Sequence, residues 1–177
     1  MSKVSRMGII ILAFAMAFVG VTGAFAKDTG KYYVSGSLGS SMDANVGNET
    51  LDLDDGFAGS IAIGEYITDK FRVEAEYQYF ENDVNDIDMD INNLMVNGYY
   101  DIITINGFTP YVTTGIGVGW YDLDQIGKDN TMVYKIGGGV DYAITDDVKA
   151  GVRYVYYEAN DLDYDTNLLS AVVTYSF

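Results

Sequence analysis

Cysteine and histidine are both absent from the 177-residue chain, and there is a single proline. Without cysteine there is no disulfide framework, no thiolate zinc site and no lipid-anchoring cysteine. Basic residues are also scarce: 10 Lys and Arg stand against 26 Asp and Glu, a formal net charge of −16. Proteins that bind nucleic acid carry clustered basic residues, so we expect no nucleic-acid partner.

Glycine and aromatic residues are plentiful by comparison. The chain holds 20 Gly, 16 Tyr, eight Phe and one Trp. This combination favours a β-rich protein, and the length is that of one domain.

Long hydrophobic runs are missing except at the beginning of the chain. Residues 1–26 contain two basic residues, Lys3 and Arg6, then an uncharged apolar run, then the small-x-small sequence Ala24-Phe25-Ala26. This order predicts a cleavable signal peptide over 1–26 and a mature domain over 27–177. The alternative is a transmembrane anchor, which we disfavour because the apolar run is shorter than the ~20 residues that span a bilayer.

The mature part contains eight segments in which apolar and polar residues alternate with period two, separated by turn signals. This pattern predicts eight β-strands and no membrane helix, so any membrane span must be made by strands. The segments are 31–42, 56–67, 71–82, 91–103, 109–122, 131–144, 148–159 and 166–177.

The connections between these segments alternate between tight and long. The tight ones are Thr68-Asp69-Lys70, Ile105-Asn106-Gly107 and Thr145-Asp146-Asp147. Tight turns at one end and longer polar loops at the other are typical of an outer-membrane barrel, with the turns periplasmic and the loops outside. The long ones are rich in aspartate: Asp52, Asp54, Asp55, Asp83, Asp86, Asp88, Asp90, Asp122, Asp124, Asp129, Asp161, Asp163 and Asp165.

A weak internal repeat supports this interpretation. Residues 67–81 can be aligned with residues 144–158 at a constant offset of 77, which corresponds to four strands. Similar constraints on similar hairpins explain the match better than gene duplication does. On either explanation, each segment is a turn followed by a strand.

Each strand has an apolar face and a face of small or polar residues, and alternation alone does not say which points inward. A soluble lipocalin-like barrel would enclose the apolar face. An eight-stranded barrel, however, is only just wide enough for its own side chains, and most of the Tyr, Phe and Trp would overfill it. The apolar face is therefore predicted to face lipid, as in the last strand for Leu169, Ala171, Val173, Tyr175 and Phe177.

Two stretches resemble a known family. Residues 64–77 are similar to the second hairpin of small OmpA-like and opacity-type outer-membrane barrels, a porin-like, eight-stranded group. Residues 171–177 resemble the terminal strand that the barrel-assembly machinery recognises. The resemblance implies a Gram-negative outer-membrane location and an assembly signal at Tyr175 and Phe177. Barrel enzymes of this kind resemble one another in using a histidine base, which this chain lacks.

The inward face also carries charged residues, which must be paired in a narrow, weakly polar interior. Glu76 and Arg153 occupy equivalent positions in the repeat, on strands four apart, and are predicted to meet across the interior, directly or through water or Lys135. A structural polar core is favoured over a gate or selectivity filter. The predicted interior set is Arg72, Glu74, Glu76, Asp101, Lys135, Asp141, Lys149 and Arg153.

Two loops place aspartate at every second position, and such carboxylates suit Ca²⁺. The pattern does not match an EF-hand loop, and a solvated loop is the favoured explanation over a weak calcium site. The residues concerned are Asp86, Asp88, Asp90, Asp161, Asp163 and Asp165.

Together these features predict an all-β, eight-stranded antiparallel up-and-down transmembrane barrel. The favoured function is non-enzymatic, in envelope structure or surface interaction. The alternatives are a narrow porin-like channel and, less favoured, a barrel enzyme. We expect no cofactor and a monomer. The expected partners are outer-membrane lipids and lipopolysaccharide, the assembly machinery, and divalent cations at the loops.

Overall fold

The computed structural model describes residues 30–46, 49–51, 56–84, 87–123, 127–159 and 164–177. Within these ranges the chain forms β-strands, and no helix there is long and apolar enough to cross a membrane. The strands are β1 (Tyr32–Val46), β2 (Glu49–Leu51), β3 (Gly56–Tyr66), β4 (Phe71–Val84), β5 (Ile87–Asp101), β6 (Phe108–Leu123), β7 (Gly127–Ala143), β8 (Val148–Ala159) and β9 (Tyr164–Ser176).

Eight of these strands close into a barrel. Strand β1 pairs with β3, and each strand from β3 to β8 pairs antiparallel with the strand that follows it. Strand β9 then pairs with β1, from Tyr33↔Ser176 to Val46↔Tyr164, and closes the barrel. The short strand β2 pairs with the end of β1. Closure gives every wall strand two neighbours, which removes the unpaired edges that lipid does not tolerate. The predicted eight-stranded up-and-down barrel is confirmed.

The strand ends differ from the predicted ones at one end of the barrel. The end of the barrel with the tight turns is the inner end, and there the predicted and observed strand limits agree within two residues. At the opposite, outer end the observed strands extend up to four residues beyond the predicted limits. Backbone pairing continues irrespective of side-chain polarity, so the acidic pattern does not mark the end of a strand. Six aspartates assigned to loops therefore lie in strands: Asp83, Asp88, Asp90, Asp122, Asp129 and Asp165.

The tight turns have the expected local chemistry. The Thr68 hydroxyl accepts hydrogen bonds from the Lys70 and Phe71 backbone N–H groups, and Thr145 repeats the arrangement 77 residues later. The third turn uses Asn106 and Gly107, with φ of 52° and 84°. Positive φ at both positions is the signature of a type I′ hairpin turn, whose twist suits the flanking strands.

The two faces of the wall are divided as the alternation predicts. Apolar side chains on the outward face are exposed, including Phe57, Ile61, Val96, Val112, Ile136, Val152 and Val173. Alternate residues are buried in the interior. The apolar face is thus a lipid-facing belt.

The interior nevertheless accommodates more aromatic bulk than the volume argument allows. Glycines on neighbouring strands make the room: a Cβ on Gly64 would lie 2.2 Å from Cζ of Tyr33, and one on Gly139 would lie 2.5 Å from the Tyr111 hydroxyl. The expectation of an interior of small residues and a few charges was therefore too simple. The buried aromatic residues are Tyr33, Tyr66, Phe80, Tyr99, Tyr111 and Tyr157.

Candidate functional site: the charged interior

The centre of the interior is an ion cluster built from three strands. Glu76 of β4 lies between Arg153 of β8 and Lys135 of β7, and its side chain has no solvent exposure. Arg153 Nη2 donates to Glu76 Oε1 at 2.8 Å, and Lys135 Nζ donates to Glu76 Oε2. One carboxylate thus holds two cations that come from the opposite side of the barrel.

Glycine and asparagine in the wall shape this cluster. Gly115 lies beside Lys135, and a Cβ there would lie 3.1 Å from Lys135 Cε and 2.2 Å from Asn97 Oδ1. The absence of a side chain at Gly115 therefore leaves space for the lysine stem. Asn97 Nδ2 donates to Glu76 Oε2 at 2.9 Å.

A second ion cluster lies nearer the inner end. Arg72 Nη2 lies 3.2 Å from an Asp101 oxygen and 3.0 Å from an Asp141 oxygen, with all three side chains buried. The guanidinium carbon also lies 4.7 Å from the Tyr99 ring centroid and 4.9 Å from that of Tyr111. Ring faces at this distance attract a cation, so the aromatic layer shares the charge of Arg72 with the two aspartates.

Tyr99 links the two clusters, because its ring lies against Arg72 and its hydroxyl contacts Arg153. Its hydroxyl accepts a hydrogen bond from Arg153 Nη1 at 2.9 Å and donates one to Glu74 Oε1 at 2.8 Å. Glu74 also accepts from Ser35 at 3.1 Å and from Asn97 at 3.1 Å. These donors to Glu74 are uncharged, and one of them, the Tyr99 hydroxyl, also accepts a hydrogen bond from Arg153.

The eight residues of the predicted interior set lie in this network, with Lys149 at its inner margin. Lys149 is half-buried and donates to the Tyr66 hydroxyl at 3.0 Å, whereas the other seven are buried. The set contains four cations and four carboxylates, so its charges balance. Balance matters because a lone buried charge is far more costly than a paired one.

Several members of the network are neutral and were not predicted. Asn97 and Tyr99 share the inward face of β5 with Asp101, and Tyr33 and Ser35 share that of β1. The sequence offered one indication of these residues: the alternation places each of them at an inward-facing position on its own strand. Their partners depend on which strands face each other across the interior.

Comparison with known proteins identifies the architecture. Residues 10–177 match the sequence profile of the family described as outer membrane protein beta-barrel domain. The chain belongs to this family. It is accordingly an outer-membrane β-barrel protein, and the tight turns mark its periplasmic end.

A curated relative of this outer-membrane β-barrel protein is outer membrane protein PagN of Salmonella typhimurium. The two are 30% identical in an alignment of 86 positions that covers 41% of this chain and 36% of PagN. The chain thus spans about a third of the length of the curated relative it matches.

Solved structures share the fold of this barrel. Neisserial surface protein A has a TM-score of 0.72 and 21% identity, with 84% of this chain and 99% of that chain covered. Ail, the attachment invasion locus protein of Yersinia pestis, has a TM-score of 0.61 and 14% identity, with 84% and 99% covered. At these identities the similarity shows the fold alone.

The predicted assembly signal lies at the periplasmic end of the barrel. Tyr175 and Phe177 are exposed on the outward face, with ring centroids 6.2 Å apart. The Phe177 N–H donates to the Tyr32 carbonyl at 2.9 Å, which joins the last residue to the first wall strand. The role of the two rings in assembly stays a prediction.

Three of the six predicted calcium residues lie in strands that the structure describes. Asp88 and Asp90 belong to β5 and Asp165 to β9. Asp86, Asp161 and Asp163 lie outside the described residues. Among the residues the structure describes, no group of three carboxylates has the geometry of a metal site. Calcium binding stays a prediction.

Replacing Tyr99 with Phe tests whether the hydroxyl bridge stabilises the barrel. The change removes one oxygen atom and leaves Glu74 and Arg153 each short of a charged hydrogen bond, so we expect the free energy of unfolding to fall by about 1–3 kcal/mol. Tyr33→Phe is the matched control, because its buried hydroxyl has no hydrogen-bond partner in the described part of the chain. Denaturant unfolding in detergent would compare them. Equal stability of the two variants would contradict the bridge.

Proposed function

We propose that this outer-membrane barrel is closed to solutes and non-enzymatic, and that it serves envelope structure or surface interaction through its exterior. The observation that supports this most directly is the filled interior. The Glu76, Lys135 and Arg153 side chains meet across its middle and are almost fully buried.

Two further layers fill the barrel on either side of this ion cluster. Towards the periplasm, Arg72 is enclosed by tyrosine rings and two aspartates. Towards the outside, buried apolar residues pack together: Ala58, Phe80, Ile91, Met95, Val133, Val155, Tyr157 and Leu168. An ion would have to break the charge pairs and cross this apolar layer, so a porin-like channel is the less favoured function.

An enzymatic function is less favoured for two reasons. The chain has no histidine to act as a general base. The paired carboxylates that might replace it, Glu74 and Glu76, are buried in the interior and engaged by hydrogen bonds, where a substrate does not reach them.

The charge of the chain favours certain surface partners over others. Ail was solved in complex with a heparin analogue, sucrose octasulfate. This chain has a net charge of −16, which disfavours a polyanionic ligand of that kind. The favoured partners contact the apolar outer face instead: they are outer-membrane lipids and the acyl chains of lipopolysaccharide, with the assembly machinery acting during biogenesis of a monomer.

Divalent cations at the acidic loops are a less favoured partner, because a solvated loop is the favoured explanation for aspartates at every second position.

Planar-bilayer recording of the purified protein tests closure. We expect no stable unitary current from the wild-type barrel, because the ion pairs and the apolar layer both block the interior. A porin measured in the same membrane provides the positive control. Reproducible unitary conductance that scales with protein added would overturn the closed-barrel proposal in favour of the channel.

A further inference from the structure

The turn between β5 and β6, residues 102–107, differs in charge from the other two periplasmic turns. The β3–β4 turn carries Asp69 and Lys70, and the β7–β8 turn carries Asp146 and Asp147. The β5–β6 turn reads Ile-Ile-Thr-Ile-Asn-Gly and has no ionisable residue. Only one of the three tight turns therefore lacks charges that hold it in water.

Its isoleucines are exposed in the isolated barrel. Ile102, Ile103 and Ile105 are 46%, 53% and 57% exposed. The turn also extends past the rim, because the Asp101 N–H bonds to the Lys70 carbonyl at 2.8 Å and residues 102–107 continue beyond that level. Three large aliphatic side chains thus project from the periplasmic end on one side of the barrel.

This patch is continuous with the lipid-facing belt. Phe108 follows the turn directly, is exposed, and has its ring centroid 4.7 Å from that of Tyr142 on the adjacent strand. Ile105 and Phe108 exchange backbone hydrogen bonds at 2.9 and 3.0 Å. The apolar surface therefore runs from the membrane-spanning wall into the turn through Phe108 and Ile105.

The apolar belt is also long on β6. From Phe108 to Trp120, β6 spans about 30 Å along the barrel axis at ~3.3 Å per residue and ~40° tilt, whereas outer-membrane barrels have an apolar band of about 25 Å. A hydrophobic length greater than the hydrocarbon thickness is accommodated by tilting, so the long belt on β6 favours a tilt of the barrel towards this side.

Part of the backbone of the turn is already hydrogen-bonded within the protein. The Ile102 N–H donates to the Pro110 carbonyl at 2.9 Å, and the Gly107 carbonyl accepts from the Ala143 N–H at 2.9 Å. Lys70 Nζ donates to the Ile102 carbonyl at 3.4 Å. A lysine at this height can direct its ammonium group to lipid phosphates while its stem lies on apolar surface.

We propose that the β5–β6 turn is a lipid anchor that inserts into the interfacial region of the periplasmic leaflet, with the barrel tilted towards this side. The bound partner is the boundary between headgroups and acyl chains. Apolar side chains of surface-bound segments are buried about 5–10 Å deep there.

The absence of cysteine makes a direct test possible. Ile105→Cys and Asp146→Cys each place one thiol in an otherwise cysteine-free chain, in two different periplasmic turns. The full chain is purified from outer membranes, labelled with the fluorophore NBD and reconstituted in phosphatidylcholine vesicles with or without brominated acyl chains. Heat-modified gel mobility checks that each variant is folded, and Ile103→Cys provides a second site in the same turn.

We expect blue-shifted NBD emission at positions 105 and 103, and quenching by brominated lipid at least about twofold stronger than at position 146. Water-like emission at all three positions, or equal quenching at all three, would overturn the anchor. Blue-shifted emission at 105 without lipid quenching, combined with self-quenching relieved by unlabelled protein, would assign the patch to a second copy of the chain and also overturn it.

Discussion

Replacing Glu76 with alanine is expected to lower the free energy of unfolding by about 3–5 kcal/mol where the interior stays dry, because Arg153 and Lys135 lose the carboxylate they share. Where water enters and hydrates the two cations, the loss is smaller and the barrel gains conductance. Denaturant unfolding and planar-bilayer recording on the same preparation measure both quantities.

Two further variants separate charge from volume. Glu76→Gln keeps the size of the side chain and removes its charge, so it should show most of the effect of Glu76→Ala. Adding Lys135→Met to Glu76→Ala restores the balance of interior charges and should recover part of the lost stability. The ion cluster would have no structural role if Glu76→Ala and Glu76→Gln both unfolded like wild type and both stayed closed.

Replacing Val173 with arginine is expected to cost about 2–4 kcal/mol of unfolding free energy in phospholipid vesicles. Val173 is 55% exposed on the outward face of β9, and its cross-strand partners are Gly36 and Ala150. These small neighbours cannot shield an arginine from the acyl chains, so the charge must be carried into lipid or the bilayer must deform around it.

The cost should depend on depth in the membrane. Ile144 is 59% exposed at the periplasmic end of β7, and Ile144→Arg makes a comparable apolar-to-arginine change at the rim. There we expect a cost of only about 0–1 kcal/mol. Denaturant unfolding of both variants in the same vesicles provides the comparison. A Val173→Arg protein as stable as Ile144→Arg would show that this face of β9 does not contact the bilayer core.

The wall of the barrel was predictable from sequence because it depends on local chemistry. A strand alternates its side chains between two faces, so apolar residues at every second position mark both the strand and its lipid side. Asn106-Gly107 marks a hairpin turn because both residues tolerate positive φ. The position of Glu76 opposite Arg153 also followed, because the constant offset of four strands places them across an eight-stranded barrel at the same height.

Tertiary structure decided what lies between the walls and how far the walls extend. Tyr99 bridges Arg153 and Glu74 because side chains from β5, β8 and β4 meet in the interior. The residue pattern of a single strand does not predict which residues of other strands come within hydrogen-bond distance. In the described part of the chain, six aromatic residues fit inside because glycines such as Gly64 and Gly139 lie beside them on other strands. The outer strand ends follow from backbone pairing, which continues through acidic residues once the register is set. Sequence by itself therefore determined the strands, their faces and the barrel. The packing of the interior and the strand lengths depend on contacts between strands distant in the chain, which only closure of the barrel brings together.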